Sequence, residues 1–427
     1  MHHLLTNNIL SPTQYAFRPN SSTALALKTI LNTIYASTKQ RNYNLAIYVD
    51  LSKAYDTISH AILIHKLQHE FNFDPDTTAF FASYFTNRQQ TTHTQHAQSK
   101  TATITHGIPQ GSTLSTTLFL LYINNIIQTV PNSRVYTYAD DTTMLIAAKS
   151  LEELQRLAQS DLSSLISYFY DNNLVPNPTK TNYSLFLPKP PPPEFSLTIG
   201  DTALKHNNEA KLLGIYVENT LKHTHTITHI IRKLQPHIQS FRYATTLLPR
   251  THMINLYYSL VYPHLIYAIT IWGSSDPQKA YLQPLIKIQK AIIRIVLNCP
   301  PQTHTKPLMI KYKLLSITNL YIYCTCTEMH PYVLNTESTA RPEHDHIYNK
   351  ANSIHDHNTR NALQESLFRP RSPNSFKQHP PHEIAHYTNN SSKIWNQIPP
   401  ELKTMPKLQT FKIALKEHLH RKQTLDR

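Results

Sequence analysis

An α+β fold is predicted for this chain, and three features of its 427 residues lead to that prediction. β-Branched, aromatic and apolar runs of strand length stand at 45–49, 135–138 and 142–146. Helical patterns stand around them, near 22–38 and 59–70 and later at 284–297 and 407–422. The chain has only 5 glycines, where average usage of about 7% would give about 30, so each glycine marks a place where the backbone needs one.

The run 45–49, "LAIYV", is continuously apolar, as a strand buried on both faces should be, and Asp50 follows at its C-terminal end. A helix follows near Ser59, with Asp56 expected as its cap. In "HGIPQGSTLSTTLFLLYINNI", 106–126, Gly107 and Gly111 bracket Ile108, Pro109 and Gln110, a loop able to approach a ligand closely, and an apolar helix is expected from 114 to 126. "TYADDTTML", 137–145, is the bend of a hairpin carrying Asp140 and Asp141 side by side. Turn chemistry needs one aspartate at most, and two adjacent carboxylates repel each other. A divalent cation would compensate them, given a third carboxylate elsewhere, and Asp50 is the candidate.

Further along, "SLTIGDTAL" predicts a hairpin turning at Gly200 and Asp201, and Gly214 falls within the expected strand "KLLGIYVE". "PKPPPPEF", 188–195, is a stiff proline loop. On the helix 284–297, Lys287, Lys290 and Arg294 share one face, with Ile288, Ile292 and Ile295 on another. In 407–422, Phe411, Leu415 and Leu419 share a face. The stretch between, rich in His, Asn, Pro and Thr, has the composition of partial disorder. No internal repeat is evident.

The formal charge of +15 is unevenly spread. Residues 1–219 hold 15 Lys and Arg against 15 Asp and Glu, and residues 220–427 hold 26 against 11. A basic second half suits a polyanionic partner. Cys299, Cys324 and Cys326 are too few and wrongly spaced for a zinc site or a disulfide framework, which fits an intracellular, reducing compartment. The 26 histidines, including those of "HTHTITH" and "HDH", lack paired Cys/His spacing. The apolar stretch 257–272 carries Ser, His and Pro and falls short of a membrane span, so no membrane partner is expected, and no signal peptide is visible.

In this order, "VDLSKAYD", "GIPQGSTLSTTLFLLYIN", "YADD", "NPTKT" and "KLLGIYVENTL" resemble the successive blocks of the non-LTR (LINE-type) retrotransposon reverse transcriptases. "LVYPHLIYAITIWG", "HDHNTR" and "KIWNQIPPEL" are similar to later segments of that family, so the likeness runs over nearly the whole chain. The resemblance implies a right-hand polymerase: partial fingers and palm over 1–219, a helical thumb over 220–300 and a basic C-terminal region over 301–427. It implies an RNA-directed DNA polymerase that adds dNTPs to the 3′-hydroxyl of a DNA primer on an RNA template.

The chemistry is an in-line attack on an α-phosphate, in which two metal ions about 4 Å apart stabilise the attacking and leaving oxygens. By resemblance, Asp50 and Asp140 bridge two Mg²⁺ ions, with Mn²⁺ as a substitute, and Asp141 is a weaker ligand. Tyr55 stands where the family places the aromatic that excludes a ribose 2′-hydroxyl. Gln110 and Gly111 resemble nucleotide and template contacts, and Arg18 falls in the remaining fingers, where the nucleotide is also contacted. Lys180 resembles the palm lysine near the triphosphate, a possible acid for the leaving pyrophosphate. Gly214 lies in the block that grips the primer, and Lys287, Lys290 and Arg294 would meet the duplex.

Some features depart from the pattern. The chain starts at a point that lies well inside the family's polymerase, so the upstream fingers and any endonuclease are expected to be missing, with weak or no extension by this chain alone. Thr116 and Thr117 replace a usual Pro and its neighbour, and Tyr168 to Tyr170 stand where a Trp is common. The rival expectation is an inactive nucleic-acid-binding relic or domesticated protein, which retention of Asp50, Asp140 and Asp141 disfavours.

Overall fold

Strand β1, Tyr43–Val49, is the centre on which the first half of the chain is assembled. The computed structural model describes residues 2–186, 195–334, 349–350, 368–369 and 385–425, and the chain separates into two units, Met1–Leu213 and Gly214–Arg427. Around β1 stand β2 (Arg134–Tyr138), β3 (Asp141–Ala148), β4 (Asn182–Phe186) and β5 (Lys205–His206), in the spatial order β5-β4-β1-β3-β2. β1 pairs antiparallel with β3, from Tyr43↔Ala148 to Val49↔Thr142, and with β4, from Asn44↔Phe186 to Tyr48↔Asn182. β2 and β3 form the expected hairpin, closing at Tyr138↔Asp141. The free edge of β2 is covered by the segment around Gln14, where the Tyr15 N–H donates to the Thr137 carbonyl (2.9 Å) and the Thr137 N–H donates to that of Thr13 (3.0 Å).

The sheet needs apolar cover because β1 is buried along most of its length, with Leu45, Ala46 and Ile47 at most 1% exposed. Helix α1 (Thr23–Lys39) is capped by Ser22, whose Oγ accepts from the Leu25 N–H at 3.1 Å. Helices α2 (His60–His69), α3 (Pro75–Phe85), α4 (Ser115–Tyr122) and α5 (Leu151–Asp171) complete this unit. α5 contributes a buried stripe of Leu154, Ala158, Leu162, Leu165 and Phe169 at helical spacing. Tyr168 packs its ring 5.4 Å from the Lys66 ammonium, which also donates to the Tyr122 carbonyl at 2.8 Å.

Several local expectations need correction. Ser59, not Asp56, caps α2, its Oγ accepting from the Ile62 N–H at 3.4 Å, because a hydroxyl one residue before the helix reaches the first turn and Asp56 lies too far upstream. The apolar run 114–126 is not one helix: α4 ends at Tyr122, and a 3₁₀ turn, Asn124–Gln128, carries the chain onward. The Asn124 side chain explains the break, since it accepts from the Ser11 N–H (2.7 Å) and donates to the Ile9 carbonyl (2.8 Å). Gly214 is not inside a strand but, with Leu213, separates the strands Glu209–Leu212 and Ile215–Glu218, both residues having positive φ. The hairpin at Gly200 and Asp201 forms as expected between Thr198–Ile199 and Thr202–Ala203.

The second unit is helical among its described residues: α6 (Thr224–Leu247), α7 (Arg250–Leu260), α8 (Gln283–Val296), α9 (Ile317–Leu334), α10 (Ala385–Gln397) and α11 (Leu408–Leu425), with shorter turns between. On α8 the buried face is Leu285, Gln289, Ile292, Ile293 and Val296, so Ile288 and Ile295 flank the core rather than form it. Phe411, Leu415 and Leu419 are buried on α11 as expected, and Phe411 lies 5.6 Å from the buried Trp395 ring. The three cysteines are free thiols. No helix among the described residues is long and apolar enough to cross a membrane. The proline run and both "HDH" stretches lie outside the described residues, as does much of the span expected to be disordered.

Glycine scarcity has a visible counterpart in the backbone. Among the described residues 15 non-glycine positions have φ between 43° and 59°, including Asn72, Asn87, Asn173 and Asn298 just beyond the ends of α2, α3, α5 and α8. Asparagine is the side chain that best tolerates this conformation after glycine.

Candidate active site

The end of β1 is held by the "NPTKT" block. The Asn177 N–H donates to the Asp50 carbonyl at 2.8 Å, the Asp50 N–H donates to Thr181 Oγ1 at 3.3 Å, and Leu51–Ser52 pairs with Val175–Pro176. This backbone pinning brings Lys180 beside the aspartate, with Nζ 3.7 Å from Asp50 Oδ2, the two side chains being 69% and 42% exposed. Both ions remain in contact with water, so the pair contributes little to stability. Asn177 and Thr181 set the position of both charged groups, yet neither was singled out in the sequence, where they were visible only as neighbours of Lys180.

The register of the sheet brings the hairpin to the same place. Extending the β1–β3 pairing by one position beyond Val49↔Thr142 sets Asp50 level with Asp141. Asp141 is therefore the first residue of β3, and the two-residue bend consists of Ala139 and Asp140. Ala139 has φ +55°, a conformation glycine would hold without strain, and Gln14, buried under the bend, accepts from its N–H at 3.3 Å. The Asp141 carboxyl is held above the usual carboxylate range, first by desolvation and then by the charges of Asp140 and Asp50. Among the described residues no three acidic, His or Cys side chains already converge on a common point. The three carboxylates nevertheless feel one another, and an all-oxygen donor set with water access suits a hard divalent cation such as Mg²⁺.

Tyr55 faces this cluster. Its ring stacks on Phe119 of α4, with centroids 4.5 Å apart and planes at 14°, and its hydroxyl is pushed up to about 12, first by burial and then by the charge of Asp140. The glycine loop runs alongside. The Ile108 N–H donates to the Tyr55 carbonyl at 2.9 Å, and the Gly107 N–H donates to that of Ile58 at 2.7 Å. A Cβ at Gly107 would lie 2.9 Å from the Asp56 carbonyl oxygen, so glycine is required by contact as well as by its φ of +85°. Gly111 also has positive φ, but a Cβ there would meet open space. Gln110 is exposed and donates through Nε2 to Asp56 Oδ1 at 3.3 Å, which is what Asp56 does instead of capping α2.

Arg18 Nη1 donates to the carbonyls of Ser11 (2.5 Å) and Gln14 (3.2 Å), fastening the segment that carries Gln14 under the bend. Gly214, Lys287, Lys290 and Arg294 belong to the second unit. Lys287 and Lys290 are exposed, while Arg294 is partly buried and its Nε donates to the Thr303 carbonyl at 2.8 Å.

The profile of the family described as "Reverse transcriptase (RNA-dependent DNA polymerase)" matches residues 1–217, half of the chain. The chain belongs to the reverse transcriptase family. Among curated proteins, the RNA-directed DNA polymerase from mobile element jockey of Drosophila melanogaster is 24% identical over 306 residues, covering 69% of this chain and 32% of that protein. The probable RNA-directed DNA polymerase from transposon BS of the same species is 25% identical over 308 residues, covering 68% of this chain and 33% of that protein. This reverse-transcriptase chain thus spans about a third of the length of the curated relatives it matches. A solved telomerase from Candida albicans, in complex with a fragment of telomeric RNA, aligns at TM-score 0.39 and 9% identity over 70% of this chain and 53% of that one, too distant a likeness to carry an argument. The match over 1–217 contains Asp50, Tyr55, Gln110, Gly111, Asp140, Asp141 and Lys180.

Proposed function

We propose that this chain is the polymerase part of a non-LTR retrotransposon enzyme, adding dNTPs to the 3′-hydroxyl of a DNA primer on an RNA template. The sheet with its glycine loop is the palm, residues before β1 are partial fingers, and the helices from α6 to α8 are the thumb. The observation that carries the reading is the register that sets Asp50 level with Asp141, next to Asp140 in the bend.

A pair of Mg²⁺ ions held by Asp50, Asp140 and Asp141 would supply charge neutralisation and lower the pKa of the primer hydroxyl. The remaining work falls to side chains already in place. Lys180, 3.7 Å from Asp50, is on a flexible stem that can swing from the aspartate to the leaving pyrophosphate and donate a proton from Nζ. Tyr55, held rigid by its stack on Phe119, would present its ring where a 2′-hydroxyl would sit. The loop from Gly107 to Gly111 would receive the nucleotide and template, with the exposed Gln110 amide free to exchange its bond to Asp56 for one to substrate.

The test is primer extension on an RNA template with Mg²⁺, with Mn²⁺ in parallel. Replacing Asp50 or Asp140 by Asn is expected to lower addition by at least about 100-fold, with duplex affinity changed less than about threefold, because phosphate contacts elsewhere dominate binding. Undiminished extension by Asp140→Asn would overturn the assignment. Duplex binding by the wild-type chain without any extension would instead favour the inactive relic.

A further inference from the structure

The second unit contains a cavity of about 340 Å³, two of whose bordering residues, Lys290 and Arg294, are also expected at the duplex. It is bordered by Lys290 and Arg294 of α8, by His304 and Lys306, and by the start of α9 at Ser316, Ile317 and Thr318. Lys287, on the same helix, does not border it. Three permanent cations border the cavity, and among the described residues no Asp or Glu does. Such a concentration of one sign calls for an anion.

The surroundings narrow the choice of anion. Two of the first amides of α9 are already engaged, the Ile317 N–H donating to Gln289 Oε1 (3.2 Å) and the Asn319 N–H to Ser316 Oγ (3.3 Å), so the side-chain cations hold most of the charge. The Nε bond of Arg294 to the Thr303 carbonyl fixes its guanidinium plane at the rim, a preorganised geometry for phosphate oxygens. The rest of the lining is of another kind, with apolar Pro277, Ile286 and Met309 and the buried amide of Gln423. A bare phosphate would leave those walls unused. A flat heterocycle would cover the apolar surface and meet the amide with a hydrogen-bonding edge, and the volume lies at the lower end of the usual range for small-ligand sites, about 300–1,000 Å³.

We infer that this cavity binds one nucleoside 5′-phosphate unit, either free or as an unpaired nucleotide of a nucleic-acid strand. The base enters between Ile286 and Met309, and the phosphate stays at the rim with Lys290, Arg294 and Lys306. Every residue that borders it belongs to the second unit and none is an aspartate of the catalytic reading, so its occupancy is read without catalysis and succeeds or fails independently of that reading.

The experiment is calorimetric titration of the intact chain, without Mg²⁺, with each of AMP, CMP, GMP and UMP, with inorganic phosphate, and with an unstructured oligonucleotide. Saturable binding of at least one monophosphate or of the oligonucleotide is expected, at least tenfold tighter than inorganic phosphate. The arm that binds better tells the free from the strand-borne source. Lys290→Ala combined with Lys306→Ala, both at exposed positions, is expected to weaken that binding by at least about tenfold, and Lys279→Ala, outside the cavity, by less than twofold. Circular dichroism checks that each variant is folded. Absence of saturable binding, equal affinity for inorganic phosphate, or equal loss in Lys279→Ala would overturn the inference.

Discussion

At the scale of single residues, the site is a set of groups held in positions they would not choose alone. The Asp141 carboxyl is held above its usual range, first by desolvation, Ala139 occupies a glycine conformation, and Tyr55 is fixed by one stacked ring. If Tyr55 acts on the sugar, Tyr55→Val should raise the ratio of ribonucleotide to deoxyribonucleotide incorporation by at least about tenfold, because discrimination is a difference in transition-state binding. Competition primer extension measures it, and an unchanged ratio would return Tyr55 to a packing role against Phe119. The glycine loop offers a paired test by urea unfolding. Gly107→Ala must place a Cβ 2.9 Å from the Asp56 carbonyl oxygen at unfavourable φ and should cost about 2–3 kcal/mol. Gly111→Ala meets only the φ penalty and should cost about 1 kcal/mol. Equal costs would mean that the loop shifts away from Asp56.

At the scale of elements, α8 shows how a polar residue can hold a helical unit together. Gln289 is 1% exposed, donates through Nε2 to the Tyr257 hydroxyl (3.1 Å) and the Leu315 carbonyl (3.0 Å), and accepts from the Ile317 N–H. Gln289→Leu should therefore destabilise by about 2–4 kcal/mol in urea unfolding, since it strands a buried carbonyl and a buried N–H. A cost below about 1 kcal/mol would mean that those groups find other partners. Gln289 also marks where sequence reading stops. Period and composition located β1, the aspartate hairpin, α1, α2, α8 and α11, because apolar runs and turn residues are local signals. The buried stripe of α8 is not legible from hydropathy, because its core includes a glutamine that hydropathy counts as surface. The helix after the glycine loop was overextended because Asn124 ends it through bonds to residues more than 100 positions away. The aspartates could be named from their motifs, but their common level rests on a register that no single strand encodes.

At the scale of the whole molecule, many weak acids are folded away in their neutral forms. Burial raises the phenols of Tyr48, Tyr168, Tyr257 and Tyr262, and it pushes the Cys324 thiol up to about 12 from an ordinary 9.0. The sign follows from linkage. Between the unfolded value near 9.0 and the folded value near 12, the unfolded chain has released the Cys324 proton and the folded chain has not. Each such group thus lends stability that is complete below the unfolded pKa and lost as pH rises toward the folded one. Urea midpoints should be flat from pH 7 to about 8.5 and fall steadily above pH 9. A midpoint that stays constant above pH 9 would mean that these groups reach water in the folded state.

The near absence of glycine, met first as a composition and then as left-handed backbone in other residues, leaves this chain with unusual room for heat-hardening. Arg41, Leu221 and Lys313 hold conformations that a side chain with Cβ adopts at a cost of about 1 kcal/mol each, and none of them is among the residues assigned to chemistry here. A sturdier form of the chain could be sought there, by writing in the glycines that it does without and leaving the core and the aspartates untouched.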